Sequence, residues 1–227
     1  MNIALILAGG AGTRAGGSLP KQFQYIRGKR MIWWSVDVFR RFDPDCVVVL
    51  VVYPDHIQIL ESDIENEKRG ERDALYITPG GSSRIESVRK GLAFLSGLGV
   101  EKNAKVFIHD GARPLLQVGM IDAGSHTVAK GVGAVPVVAL TDSIREKRGE
   151  GTVAVPRENY MTVQTPQIFL YEDIKAAYEN VIEDSSLTDD ASVAERYGME
   201  IATYQGDPMN IKVTYPVDFI IAENCGH

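Results

Sequence analysis

Short apolar runs alternate with stretches of helical period along most of the chain. The runs Ile3–Leu7, Cys46–Val52, Leu75–Thr78, Lys105–His109 and Gly133–Val138 are predicted strands. Their apolar residues stand consecutively and do not alternate with polar ones, as suits strands in a sheet covered by helices. Between them Ile32, Val36 and Phe39 recur at helical spacing, as do Ile85, Val88, Leu92 and Leu95, and later Ile174, Ala177, Tyr178 and Val181. Each set lays an apolar stripe along one helix face. The alternation predicts an α/β fold, a single Rossmann-like, mostly parallel sheet with flanking helices. Trp33 and Trp34, on the first helix, are assigned to core and loop packing.

The regularity breaks over residues 138–160. There Thr141-Asp142-Ser143-Ile144 and Thr152-Val153-Ala154-Val155 flank the turn-like Lys147-Arg148-Gly149-Glu150-Gly151, which predicts a β-hairpin. A hairpin of this length has little core of its own, so its apolar residues are expected to pack on another subunit. Residues 1–227 otherwise read as one domain, long enough to bury a sizeable core.

Composition narrows the class. With 44% hydrophobic and 24% charged residues the chain is ordinary for a soluble enzyme. No apolar run approaches the roughly twenty residues of a membrane span. Met1 leads straight into an expected core strand, leaving no room for a signal peptide. Cys46 and Cys225 make no metal or redox spacing, which fits a cytoplasmic setting. The net charge of -6 argues against a nucleic-acid surface, and it repels small polyanions unless basic residues gather in one pocket.

Such a pocket is suggested where the first strand ends. Leu7-Ala8-Gly9-Gly10-Ala11-Gly12-Thr13-Arg14 is followed by Pro20-Lys21-Gln22. Closely spaced glycines let backbone N–H groups approach an anion, and Arg14 and Lys21 add positive charge. A P-loop needs a lysine where Ser18 stands. The dinucleotide fingerprint fits Gly10 to Ala15, but Gly16, Gly17 and Pro20 oppose the helix it requires, and the second strand comes too late for its acidic residue. The alternative is a glycine-rich turn with two solvated basic residues.

Leu-Ala-Gly-Gly-x-Gly-x-Arg followed by Pro-Lys-Gln resembles the signature of sugar nucleotidyltransferases, specifically their cytidylyltransferase branch. Gly80-Gly81-Ser82-Ser83-Arg84-Ile85-Glu86-Ser87-Val88 resembles the element with which that family reads the cytosine edge. Ser83 with Glu86 also fits a helix capping box. Many relatives carry an acidic residue at the Ser82 position, a departure here. His109-Asp110-Gly111-Ala112-Arg113-Pro114, Thr165-Pro166-Gln167, Thr188-Asp189-Asp190-Ala191-Ser192 and Asn210-Ile211-Lys212-Val213-Thr214 are similar to further family elements, in the family's order. Read locally, the Thr188 stretch is a helix N-cap with acidic first-turn residues, and Lys212 lies in a short β-like run.

The resemblance implies a glycosyltransferase A-like fold and a homodimer embraced through the 138–160 arm. It implies transfer of CMP from CTP to a polyol phosphate, with 2-C-methyl-D-erythritol 4-phosphate expected and ribitol 5-phosphate as the alternative. The implied nucleotide contacts are Ala8, Gly9, Gly10 and Gly12 in the first loop, then Gly80, Gly81, Ser82, Arg84 and Ser87. Arg14 and Lys21 would stabilise the transition state, and Arg157 and Lys212 would hold the attacking phosphate. Asp110, Arg113, Asp142, Thr165 and Thr188 would orient the polyol. Magnesium is the implied cofactor, held mainly by the CTP phosphates, with Asp110 as a further ligand. Two other classes stay open on the residues themselves, a dinucleotide-binding oxidoreductase and a silent nucleotide-binding regulator. Neither a nucleic acid nor a membrane is expected as a partner.

Overall fold

The computed structural model describes residues 1–9, 20–66 and 74–225. In chain order β1 (Asn2–Ala8) is followed by the small hairpin β2 (Tyr25–Ile26) and β3 (Lys29–Arg30), then α1 (Met31–Phe42). β4 (Val47–Val52), α2 (Ile57–Asn66), β5 (Leu75–Pro79), α3 (Arg84–Gly97), β6 (Lys105–Asp110) and α4 (Val118–Thr127) come next. After β7 (Val132–Ala139) stand β8 (Ile144–Arg148), β9 (Gly151–Val155), β10 (Met161–Val163) and β11 (Gln167–Leu170). The described chain closes with α5 (Tyr171–Asn180), α6 (Asp190–Tyr197), β12 (Glu200–Gln205) and α7 (Pro216–Asn224).

β5, β4, β1 and β6 are parallel neighbours. β11 inserts antiparallel between β6 and β7, β10 pairs antiparallel with the end of β7, and β12 runs parallel along the other edge of β7. The sheet is therefore mostly parallel, as the alternation predicts. Its side chains separate by the period of two. Ala4, Ile6 and Ala8 face the cluster built with α1, α2 and α4, while Ile3, Leu5 and Leu7 face the one built with α3, α5 and α6.

All five expected strands are present within one residue of their expected ends, and the three helical stripes lie on α1, α3 and α5. Val181 falls at the C-cap of α5, just outside it. Trp33 is fully buried, and Trp34 packs over the β2–β3 hairpin, donating from its indole to the Ile26 carbonyl. The arm does form a hairpin, but its strands run further toward the tip than expected, leaving only Gly149 and Glu150 between them. Gly149 takes φ +58°, the left-handed conformation that a two-residue turn demands. Two local readings are corrected. Residues 211–214 are not a strand, because only the single bond from Val213 N–H to the Ala112 carbonyl ties this run to its neighbour. The N-cap of α6 is Asp189 and not Thr188, since Asp189 accepts from Ser192 N–H in a capping box.

Candidate active site

β1, β4, β5 and β6 run parallel, so their carboxyl ends open on one side of the sheet, where such sheets bind ligands. Three stretches meet there. The first is the end of β1, with Ala8 and Gly9; Gly10, Gly12 and Arg14 lie outside the described residues. Beyond them Lys21 opens a 3-10 turn, Lys21–Phe23, set by Pro20. Gln22 is buried in that turn and donates to the Ala8 carbonyl at 2.8 Å, fastening the Lys21 turn to the strand end.

The second stretch is the turn from β5 into α3. Ser83 caps the helix by accepting from Glu86 N–H. The reciprocal half of the expected box is absent: the Glu86 carboxylate instead accepts from Ser82 N–H at 2.7 Å and from the Ser82 hydroxyl at 2.6 Å. Those bonds from Ser82 hold the Glu86 carboxyl below the ordinary range. Ser87 Oγ accepts from Gly81 N–H at 3.0 Å and donates to the Ser83 carbonyl at 2.8 Å. A Cβ placed on Gly9 would stand 3.0 Å from that same oxygen, so the two glycine-bearing turns face each other across Ser87.

The third stretch is the end of β6, and here the charges converge. Asp110 Oδ2 lies 2.8 Å from Lys212 Nζ and 3.6 Å from Arg113 Nε, while Oδ1 lies 3.5 Å from Arg84 Nε. Burial pushes the Asp110 carboxyl up, but Arg84, Lys212 and Arg113 together overcome it and hold the group well below the usual carboxylate range. Arg113 is itself buried and donates to the Asn210 carbonyl at 2.8 Å. Thr165 is buried under Asp110; its hydroxyl accepts from Asp110 N–H at 3.0 Å and stands 3.0 Å from His109 Nδ1. His109 reaches the Arg113 carbonyl through Nε2 at 3.3 Å. One proton arrangement satisfies all of these: Thr165 donates to Nδ1 and Nε2–H donates to Arg113. Burial pushes the imidazole down to about 4, so it stays neutral at ordinary pH. His109 is therefore a structural residue.

Of the other residues singled out in the sequence, Asp142 and Arg157 lie exposed on the arm, where Arg157 donates to the Thr141 carbonyl. Thr188 is exposed before α6, its N–H on Ser192 Oγ. Among the described residues no hydrogen bond or ion pair joins these three to the Asp110 cluster. Sequence reasoning placed Asp190 and Gln167 in motifs but gave neither a role in the site. Asp190 is fully buried and takes both terminal nitrogens of Arg84, at a separation of 106 residues that no local pattern betrays. Gln167 bonds Asp189 and Ala191 at 2.8 Å each, seating α6 on β11.

Among the described residues no three His, Cys, Asp or Glu side chains are grouped to hold an ion, and Asp110 already faces three cations. The donor set does not favour the expected magnesium contact at Asp110. No helix among them is long and apolar enough to cross a membrane.

The assembly of charged groups at these strand ends suits a polyanionic substrate, and known proteins agree. A protein from Phocaeicola vulgatus named 2-C-methyl-D-erythritol 4-phosphate cytidylyltransferase is 38% identical over 221 residues, covering 96% of each chain. One of the same name from Cereibacter sphaeroides is 39% identical, covering 97% of this chain and 94% of its own. A crystal structure of 4-diphosphocytidyl-2C-methyl-D-erythritol synthase superimposes with a TM-score of 0.79 at 26% identity, covering 98% of this chain and 96% of that one. The Thermus thermophilus 2-C-methyl-D-erythritol 4-phosphate cytidylyltransferase does so at 0.70, also with 26% identity, covering 97% and 96%. The family model for IspD, 2-C-methyl-D-erythritol 4-phosphate cytidylyltransferase, matches residues 2–225, and the chain belongs to that family.

Proposed function

We propose that the site at the carboxyl ends of β1, β5 and β6 transfers CMP from CTP to 2-C-methyl-D-erythritol 4-phosphate, giving 4-diphosphocytidyl-2-C-methyl-D-erythritol and pyrophosphate for isoprenoid synthesis. The observation that carries this is the meeting of four separated motifs, around Arg84, Asp110, Thr165 and Lys212, at one buried carboxylate. A phosphate oxygen of the polyol phosphate attacks the α-phosphorus of CTP, a new P–O bond forms, and the bond to the leaving pyrophosphate breaks. The nucleophile is already an anion, so no general base is required. The barrier lies in bringing two polyanions together and in the charge that grows on the leaving group. Cationic side chains answer both needs, which explains a site of lysines and arginines in a chain of net charge -6.

In this scheme Lys212 takes the attacking phosphate and Lys21, with Arg14, the α-phosphate. Gly80, Gly81 and Ser87 line the turn that receives the base, a turn held by the bond from Gly81 N–H to Ser87 Oγ beside the α3 cap. Magnesium, entering with the CTP, would supply neutralisation of the charge that grows on the departing pyrophosphate. Arg157 and Asp142 act from the arm of a second copy in a homodimer. Exposed Tyr160, just before β10, with Met161 and Val163 on β10, gives that copy an apolar surface to cover at the foot of the arm. Two free cysteines accord with a cytoplasmic setting.

The test is pyrophosphate release with CTP and either polyol phosphate. Turnover with methylerythritol phosphate at least a hundredfold more efficient than with ribitol phosphate is expected; the reverse order would move the chain to the ribitol branch.

A further inference from the structure

Asp190, the first residue of α6, is wholly excluded from solvent. Arg84 Nη1 donates to its Oδ1 at 2.9 Å, Arg84 Nη2 to its Oδ2 at 2.7 Å, and the Tyr178 hydroxyl to Oδ1 at 2.6 Å. A charge at that depth persists only when its pairing is geometrically good, and a two-pronged arginine contact is the best available. Burial works against the Arg84 charge as well, and Asp190 and Asp110 more than restore it. With both prongs of the guanidinium on Asp190, the remaining nitrogen, Nε, faces Asp110 at 3.5 Å. Asp110 in turn faces Lys212 and Arg113. Signs therefore alternate from the buried end to the solvent end: Asp190, Arg84, Asp110, Lys212.

We propose that Asp190 is a positioning residue for the transfer: acting through Arg84, it keeps Asp110 turned so that Lys212 is aimed at the attacking phosphate. This rests on the functional reading above. Two features separate the role from that of a plain ion pair between helices. The start of α6 is fixed to the sheet and not left to a loop, because Gln167 on β11 accepts from Ala191 N–H and donates to Asp189, and β11 is the direct neighbour of β6, which carries Asp110. Arg84 also has a second carboxylate within reach. Released from Asp190, its fork would turn onto Asp110 and compete there with Lys212. The loss would be felt at the polyol phosphate, while the α3 cap, whose bonds run among Ser82, Ser83, Glu86 and Ser87, would still hold the base turn.

The experiment uses full-length Asp190→Asn, which keeps the shape and removes the charge, and Tyr178→Phe, which removes one of the three bonds. Each is assayed for kcat, for KM toward CTP and toward methylerythritol phosphate, and for melting temperature. Asp190→Asn is expected to lose at least tenfold in kcat and to raise KM for methylerythritol phosphate severalfold, with KM for CTP within twofold of wild type. Tyr178→Phe should show the same split at smaller size. Lowered melting with all three kinetic constants at wild-type values would make the pair purely structural and overturn the proposal. If Asp190→Asn does not fold, Tyr178→Phe decides by the same criteria. A wild-type protein that does not turn over the two substrates overturns the functional reading and this inference together, a result distinct from normal wild-type turnover with unaffected variants.

Discussion

Lys212 holds its ammonium nitrogen 2.8 Å from Asp110 Oδ2, with the lysine side chain 45% exposed and the aspartate 11%. A buried anion thus tethers a cation that faces solvent and any incoming phosphate. Removing one positioned donor aimed at charge that develops in the transition state lowers kcat by roughly 10²–10³ in other enzymes. Lys212→Ala should accordingly lose about a hundredfold in kcat, read by pyrophosphate release, and raise KM for the polyol phosphate. Lys212→Arg should restore little of it, because a planar fork does not replace a point charge. Activity of Lys212→Ala within threefold of wild type would remove it from the site.

Ser87 joins the two glycine turns. Its replacement by alanine takes the acceptor from Gly81 N–H, a buried group, and an unsatisfied buried donor costs about 1–3 kcal/mol. CTP affinity, measured by calorimetric titration, should fall about tenfold or more, with the affinity for methylerythritol phosphate unchanged. Unaltered CTP binding would separate this turn from the base.

The buried imidazole of His109 gives a pH signature. Its folded pKa is depressed, to about 4 from an ordinary 6.5, mainly by burial, with Asp110 favouring the charge and Arg113 opposing it. Between those values the unfolded chain binds a proton that the folded chain does not, so stability rises with pH across the window and is lost as pH falls from 6.5 toward 4. The loss amounts to at most about 3 kcal/mol. Asp110, also depressed, adds its own loss only below the ordinary carboxylate range, so the two effects separate. Urea unfolding at pH 7.5, 5.5 and 4.5 should show the slope, and His109→Gln should flatten it above pH 4.5. An equal slope in the variant would assign the effect elsewhere.

Much of the scaffold can be read from the sequence because buried parallel strands are continuous apolar runs, such as Val47–Val52, and helices such as α3 repeat a stripe. β11 escapes because four residues, Gln167–Leu170, squeezed antiparallel between longer strands, carry no period. β12 escapes because this edge strand, Glu200–Gln205, mixes apolar with polar positions. In the site, Asp110, Lys212, Arg113 and Ser87 stand in recognisable motifs. Their use does not: that Thr165 turns its hydroxyl inward to His109, and that Arg84 belongs to Asp190, are tertiary facts.

The arm yields a prediction about assembly. If Arg157 serves the partner's site, Lys21→Ala and Arg157→Ala chains refolded together give mixed dimers with one intact site and one doubly defective. Random pairing then returns about a quarter of wild-type activity. Activity that stays at the single-mutant level, with mixed dimers shown by native mass spectrometry, would place Arg157 in its own chain's site.

The central claim is direct attack by the polyol phosphate on the α-phosphorus of CTP at this site. It is tested by supplying methylerythritol phosphate labelled with oxygen-18 at its non-bridging phosphate oxygens and following the label by mass spectrometry. All of the label should appear in the cytidine diphosphate product, with unlabelled pyrophosphate released in equal amount. Label in the pyrophosphate, or release of CMP with the methylerythritol phosphate recovered unchanged, would contradict it.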